Sequence, residues 1–254
     1  FSNDKFQIST KARLDPNSSE SIISQLDRKI DASLGRLQRN FVELYQLHNR
    51  IQSVGDKDNF SAKDILKRGG VADAMEKFKS DERIKSIGIT ALGDIDAINE
   101  VVLSDCFDVA QIYYNLLNPS ASYDTSGDWN DHDFSNLIKN CISKDMGLMN
   151  IRIYAAGYLA TDKRHGREIP VTFGINENEL NRRVEKINSI FNDIKGTKAQ
   201  KALRYGLSNK DMSTIVIGLA NIEHLEEALE GYDQGHLDEE TLMTIEELQN
   251  KNFY

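Results

Sequence analysis

Two cysteines, Cys106 and Cys141, are too few for a disulfide framework or a zinc site. A reducing cytoplasm is therefore the expected compartment, and no metal is expected. No apolar run approaches the roughly 20 residues that span a bilayer, and no secretory signal pattern is read at the start. Positive charge is also in short supply. The 31 lysines and arginines face 40 aspartates and glutamates, a formal net charge of -9. That argues against a nucleic-acid or anionic-membrane partner, because both need a positive field. Missing as well is any Gly-x-Gly-x-x-Gly turn after a strand, the usual dinucleotide fingerprint. The three prolines exclude nothing.

What remains is enough for a sizeable core, with 39% hydrophobic and 28% charged residues. Short apolar runs at 5–11, 41–47, 84–90, 107–113, 148–154 and 213–218 read as strands. Amphipathic stretches lie between them. Residues 19–37 carry Ile22, Leu26, Ile30, Leu34 and Leu37 at helical spacing behind Ser18 or Ser19 as N-cap. Residues 71–79, 94–103, 134–144, 177–194, 199–207 and 222–229 read the same way. Such alternation implies βαβ units and a parallel sheet. Six strands would suffice for an open sheet. The absent fingerprint and the polar residues at strand ends favour a (β/α)8 barrel of the TIM type, with about six of its eight strands here and its site at their C-terminal ends. Residues 1–254 read as a single domain, with no repeat or linker. Because a buried strand is read almost directly after Phe1, sequence upstream of it is expected.

Lys11 ends the first run (ISTK) and His48 the second (LYQLHN). On neighbouring parallel strands they meet at one mouth of the barrel, where a lysine beside a histidine can tune a proton donor. Alone, a strand-end lysine is a solvated cap and a single histidine a structural residue. The pair is what points to chemistry. Tyr113, Tyr114, Asn118, Trp129 and His132, in or before the loop at 118–133, either line a substrate pocket or pack that loop.

The segments ISTK, SLGRLQRNFVELYQLHN, GGVADAMEKFKSDERIKSIGIT, FDVAQIYYNLLNPSA and IVIGLANIEHLEEALE, in that order, resemble consecutive segments of bacterial aldo-keto reductases. The resemblance implies a nicotinamide-dependent enzyme, using NADPH or NADH, that interconverts a small carbonyl compound and an alcohol. It implies catalytic roles for Lys11 and His48, which in that family lower the pKa of a tyrosine proton donor and orient the carbonyl. The family's tyrosine and aspartate lie upstream in its pattern and have no counterpart in these residues. Thr90, Gln111, Tyr154, Gly218, Asn221, His224 and Glu227 fall where the family holds its cofactor. Gln111 is expected on the nicotinamide carboxamide, with Thr90 in place of a serine there. Ala91 stands where asparagine is common, and Tyr154 is set against the ring face.

Free N–H groups at the helix start after Gly218 attract phosphate. No lysine or arginine stands there for a 2′-phosphate, while Glu223, Glu226 and Glu227 add negative charge. NADH is therefore expected to bind as well as NADPH or slightly better, unless Arg204, or Asn209, reaches the site from the preceding helix. Two other readings compete: a non-catalytic, aldo-keto-reductase-like binding or regulatory subunit, and a barrel using Lys11 as a Schiff-base nucleophile. The last lacks a neighbour that would depress the lysine pKa.

Overall fold

The computed structural model of the protein describes residues 6–125, 127–163, 166 and 174–254. Lys5, the first residue of the expected opening strand, and much of the loop at 155–175 lie outside them.

Sequence periodicity sets the first helix. Leu26, Ile30 and Leu34, four residues apart, are buried along one face of α1 (Ile22–Leu37). Ser21, rather than Ser18 or Ser19, caps it by accepting the Ser24 N–H. Before it stands β1 (Ser9–Ala12) and after it β2 (Val42–Leu47). A short parallel pair follows, β3 (Ile51–Gln52) with β4 (Phe60–Ser61). Next come α2 (Ala62–Leu66), α3 (Val71–Ser80), β5 (Ile84–Ala91), α4 (Ile95–Leu103), β6 (Val109–Tyr113), α5 (Leu137–Ser143) and β7 (Gly147–Ile151). The chain ends through α6 (Glu177–Ile190), α7 (Lys198–Ser208), β8 (Thr214–Ile215), α8 (Ile222–Asp233) and α9 (Glu239–Asn250). Hydrogen bonding orders the main sheet β1-β2-β5-β6-β7-β8. The pairs β1·β2, β2·β5 and β7·β8 are parallel.

All six expected strands form, most with trimmed ends. Pairing of the first run starts where the Leu44 N–H donates to the Ile8 carbonyl, and its strand proper is Ser9–Ala12. The last run keeps only two residues, because β8 ends the sheet order and has a neighbour on one side alone. The β3·β4 pair, α2 and α9 carry no apolar period long enough to read.

Contacts divide the chain into two compact units. The first is Phe1–Gln111 with Asn140–Gly147, the second Ile112–Lys139 with Leu148–Tyr254.

In the first unit strand alternation sorts the sheet into two faces. Ala12, Tyr45, Leu47, Ile87, Ile89 and Ala110 are all buried on one face, where α1 contacts β1 and α3 contacts β5. Burying such a large apolar side chain contributes about 1.5–3 kcal/mol. The register aligns Lys11, Gln46 and Gly88 on the opposite face. The short β3·β4 sheet hangs on Gly93. Ile51 donates to the Leu92 carbonyl and accepts from the Asp94 N–H, both at 2.9 Å, around a Gly93 φ of 132°. A Cβ there would lie 1.8 Å from the Ile51 carbonyl oxygen. Gly93→Ala is therefore expected to cost about 2–3 kcal/mol, seen as a lower denaturant midpoint at unchanged slope. An unchanged midpoint would contradict this packing.

The second unit is organised around Arg183, whose side chain is 0% exposed. Nε donates to Glu179 (3.2 Å), Nη1 to the Leu117 carbonyl (3.0 Å), and Nη2 to Asn252 (2.9 Å) and Asn130. Asp131 stands 3.8 Å from Nη1. The guanidinium also lies over the Trp129 and Phe253 rings. One side chain thus ties the loop at 117–131, α6 and the C-terminal residues together. Tyr123 donates to Gln249, whose amide donates to the Leu116 carbonyl at 2.9 Å, fixing α9 on the same loop.

Candidate active site

Lys11 and His48 stand at the C-terminal ends of adjacent parallel strands. Lys11 lies one residue inside β1, and His48 directly follows β2. The pairing continues past β2, since the His48 N–H donates to the Ala12 carbonyl at 2.8 Å. The Lys11 ammonium donates to Gln111 Oε1 at 3.0 Å. These two residues lie on strands three spacings apart in the sheet order, roughly 14 Å if the sheet were flat. Side chains stand nearly perpendicular to a sheet, so this contact requires these four strands to curl with the polar face inward. Lysine can only donate, so Gln111 must turn its oxygen to Lys11 and keep its own NH2 for another acceptor.

Thr90, beside Ala91 at the end of β5, is 4% exposed. Its buried hydroxyl has no hydrogen-bond partner among the described residues. A buried, unbonded hydroxyl costs about 1–3 kcal/mol, and a ligand amide would satisfy it. His48 is held below its ordinary pKa by burial first, then by the charges of Lys11 and Arg13, so it is neutral at pH 7. Arg13 carries no motif of its own. The signal that could have found it is its position two residues beyond Lys11, on the same side of an extended strand.

The remaining sequence candidates belong to the second unit. Tyr154 is half-buried and its hydroxyl is pushed up to about 12, by burial first and by the Glu227 carboxylate second. That brings two expected cofactor residues near each other. Gly218 has open space where a Cβ would sit. Asn221 caps α8 by accepting the His224 N–H, and His224 Nδ1 accepts the Ala220 N–H at 3.2 Å. His224 thus sits as a cap on the start of the helix. Arg204 is spent elsewhere, donating to the carbonyls of Gly235 (3.0 Å), His236 (3.0 Å) and Lys195 (3.3 Å). Two of these lie beyond the C-terminal end of α8, about 18 Å along that 12-residue helix from its start. Asn209 donates to Ser122. Neither residue bonds to the start of α8 in these contacts.

The aromatic residues in and before the loop pack partly on one another and partly on the helices around it. Tyr113 stacks on Phe134, His132 tilts against Phe134, and Tyr114 stacks on Tyr205. Trp129 and Asn118 both donate to the His132 carbonyl. No group of three His, Cys, Asp or Glu among the described residues could hold a metal, and no described helix is long and apolar enough to cross a membrane.

A lysine and a histidine thus meet at the ends of neighbouring strands of one parallel sheet, and comparison with known proteins gives the chain's family. The model of the aldo/keto reductase family matches residues 1–250, and the chain belongs to that family. L-galactose dehydrogenase of Arabidopsis thaliana is 26% identical over 223 residues, covering 86% of this chain. The chain spans 62% of that relative's length. The aldo-keto reductase AKR11C1 of Bacillus halodurans, in its holo form, superimposes with a TM-score of 0.69 at 17% identity, over 96% of this chain and 72% of that one. Its apo form gives 0.67 at 17% identity, over 95% and 70%. At that identity the likeness shows the fold.

Proposed function

We propose that the protein interconverts an aldehyde or ketone and its alcohol with a nicotinamide dinucleotide as redox partner. The observation that carries this reading is the polar cluster at one end of the curled sheet: Lys11 and His48 on adjacent strand ends, Lys11 bonded to Gln111, and Thr90 with an unbonded hydroxyl. The residues fit a carboxamide. The Gln111 NH2 can donate to its oxygen, and Thr90 can accept from its nitrogen. When bound, the dihydronicotinamide supplies a hydride. The neutral His48 ring would orient the carbonyl oxygen through an N–H, and the Lys11 ammonium would stabilise the negative charge developing on that oxygen and give it the proton that completes the alcohol, the lysine then being reprotonated from water. A second reading is a family member that binds the cofactor without turnover, with the Lys11 ammonium held by the Gln111 amide oxygen.

By the family's pattern the cofactor's phosphate end is expected at the start of α8, where Asn221 and His224 cap the backbone and Glu223 stands in the first turn. A 2′-phosphate normally needs a cationic partner. NADH and NADPH are therefore expected to bind within about tenfold of one another. Fluorescence titration with each, alongside assays of aldehyde reduction, tests both halves of the proposal. Preference for NADPH by more than about a hundredfold would show the phosphate end misassigned. Binding without turnover would favour the second reading, and no binding of either cofactor would overturn both.

A further inference from the structure

Just beyond β1 the first unit carries an open pocket of about 520 Å³, within the size range of small-molecule sites. Arg13, Arg28, Lys29 and Lys57 line it, with Asp15 and Asp58 as the only carboxylates among its lining residues. In a chain of net charge -9, a cleft with cations in excess runs against the overall field.

The cations are not equally available. Arg28 is engaged, its Nη2 donating to Glu20 at 2.9 Å. Arg13 lies 4.0 Å from Asp58 with both side chains more than half exposed, an ion pair too long for a hydrogen bond. Lys57 is exposed and forms no ion pair with a described residue. The floor is fixed. Gln25, 2% exposed, accepts from the Asp15 N–H and donates to the Asp15 and Glu20 carbonyls. That holds the chain just beyond Arg13 in one course.

The register places the pocket relative to the polar cluster. Ala12 aligns with Leu47, and the His48 N–H bonds the Ala12 carbonyl. Arg13 is thus the next neighbour of His48 across the strand pair, with Cα atoms about 5 Å apart. Arg13, whose charge acts on His48, also lines the pocket, so its guanidinium is the link between the two.

We infer that Arg13, with Lys57 of the same pocket lining, holds an acidic group, carboxylate or phosphate, on the carbonyl substrate. The inference rests on the reading of Lys11 and His48 given above and names the substrate class for it. A guanidinium with a weakly held partner can exchange that partner for a carboxylate or phosphate in a bidentate pair. Asp58 competes with such a group, so its removal should strengthen selection for anions.

The test compares para-carboxybenzaldehyde with its neutral isostere para-formylbenzamide, and glyceraldehyde phosphate with glyceraldehyde, as ratios of kcat/KM. The wild-type protein is expected to favour at least one anion by about tenfold or more, the scale of one charge-assisted hydrogen bond. Whichever pair shows the larger ratio identifies the acid. Arg13→Gln and Lys57→Gln should bring the ratio toward one, and Asp58→Asn should raise it. Lys139→Gln, an exposed lysine outside the pocket, should leave it at the wild-type value. A wild-type ratio near one for both pairs, or a ratio that neither Arg13→Gln nor Lys57→Gln changes, would overturn the inference. If no aldehyde is turned over at all, the catalytic reading fails. Calorimetric titration with the same pairs then decides the pocket by itself: an anion preference lost in Arg13→Gln upholds it, and equal binding of acid and isostere overturns it.

Discussion

Replacing Lys11 by methionine is expected to lower kcat/KM for aldehyde reduction by roughly 10²–10⁴-fold, the usual worth of a positioned acid-base or charge-stabilising group. The side chain keeps its length and loses the charge near His48 and the bond to Gln111. A second readout separates this from general damage. Lys11 is one of two cations that depress the His48 pKa, so the imidazole should titrate at higher pH in the variant by NMR. An unchanged His48 titration together with unchanged kinetics would remove Lys11 from the site. The sign for stability follows. With its folded pKa below the unfolded value near 6.5, His48 binds protons more readily in the unfolded chain. Its contribution is fully present above that unfolded value and is lost as pH falls from there through the lower folded pKa.

Arg183→Met should be the most damaging single change in the second unit. It removes every donor that Glu179, Asn130, Asn252 and the Leu117 carbonyl receive from this side chain, and it leaves Asp131 buried without its cation. Burial already pushes the Asp131 carboxyl above its ordinary range, against the pull of the His132 N–H and of Arg183. Breaking a buried pair by removing one partner costs about 3–5 kcal/mol. At about 2–4 °C per kcal/mol for a chain of this size, Tm should fall by roughly 6–20 °C. Calorimetry reads this directly, and a fall of less than about 2 °C would mean the cluster contributes little. Arg183→Lys should not rescue it, because an ammonium cannot match the planar fork.

The strand-end residues were legible because each closes a run of alternating or continuous apolar residues. Lys11, His48 and Thr90 stand at or beside the point where such a run stops, whereas Gln111 lies in the middle of β6, two residues short of its end. The β3·β4 pair was not legible, since two-residue strands exist only through distant partners, here Leu92, Gly93 and Asp94 around Ile51. Nor was α9, whose buried positions are Thr241, Ile245 and Gln249, so its inward face is mostly polar and shows no hydrophobic period. Arg183 follows Arg182 in a charged helix and reads as a solvated pair. Only the fold shows that one is enclosed by rings and carbonyls. The fate of Arg204 was open for a related reason: whether a helix side chain turns to one end of its neighbour or the other depends on packing, not spacing.

The central claim is that this chain's strand-end cluster serves hydride transfer, and isotope transfer tests it most directly. The protein would be incubated with para-carboxybenzaldehyde and nicotinamide cofactor deuterated at the transferring carbon, as NADH and as NADPH, and the product alcohol weighed by mass spectrometry. One deuterium in the alcohol, formed by the wild-type protein and reduced by at least about a hundredfold in rate in Lys11→Met, is the predicted result. Cofactor bound with no labelled alcohol formed, or labelling at the same rate without Lys11, would contradict it.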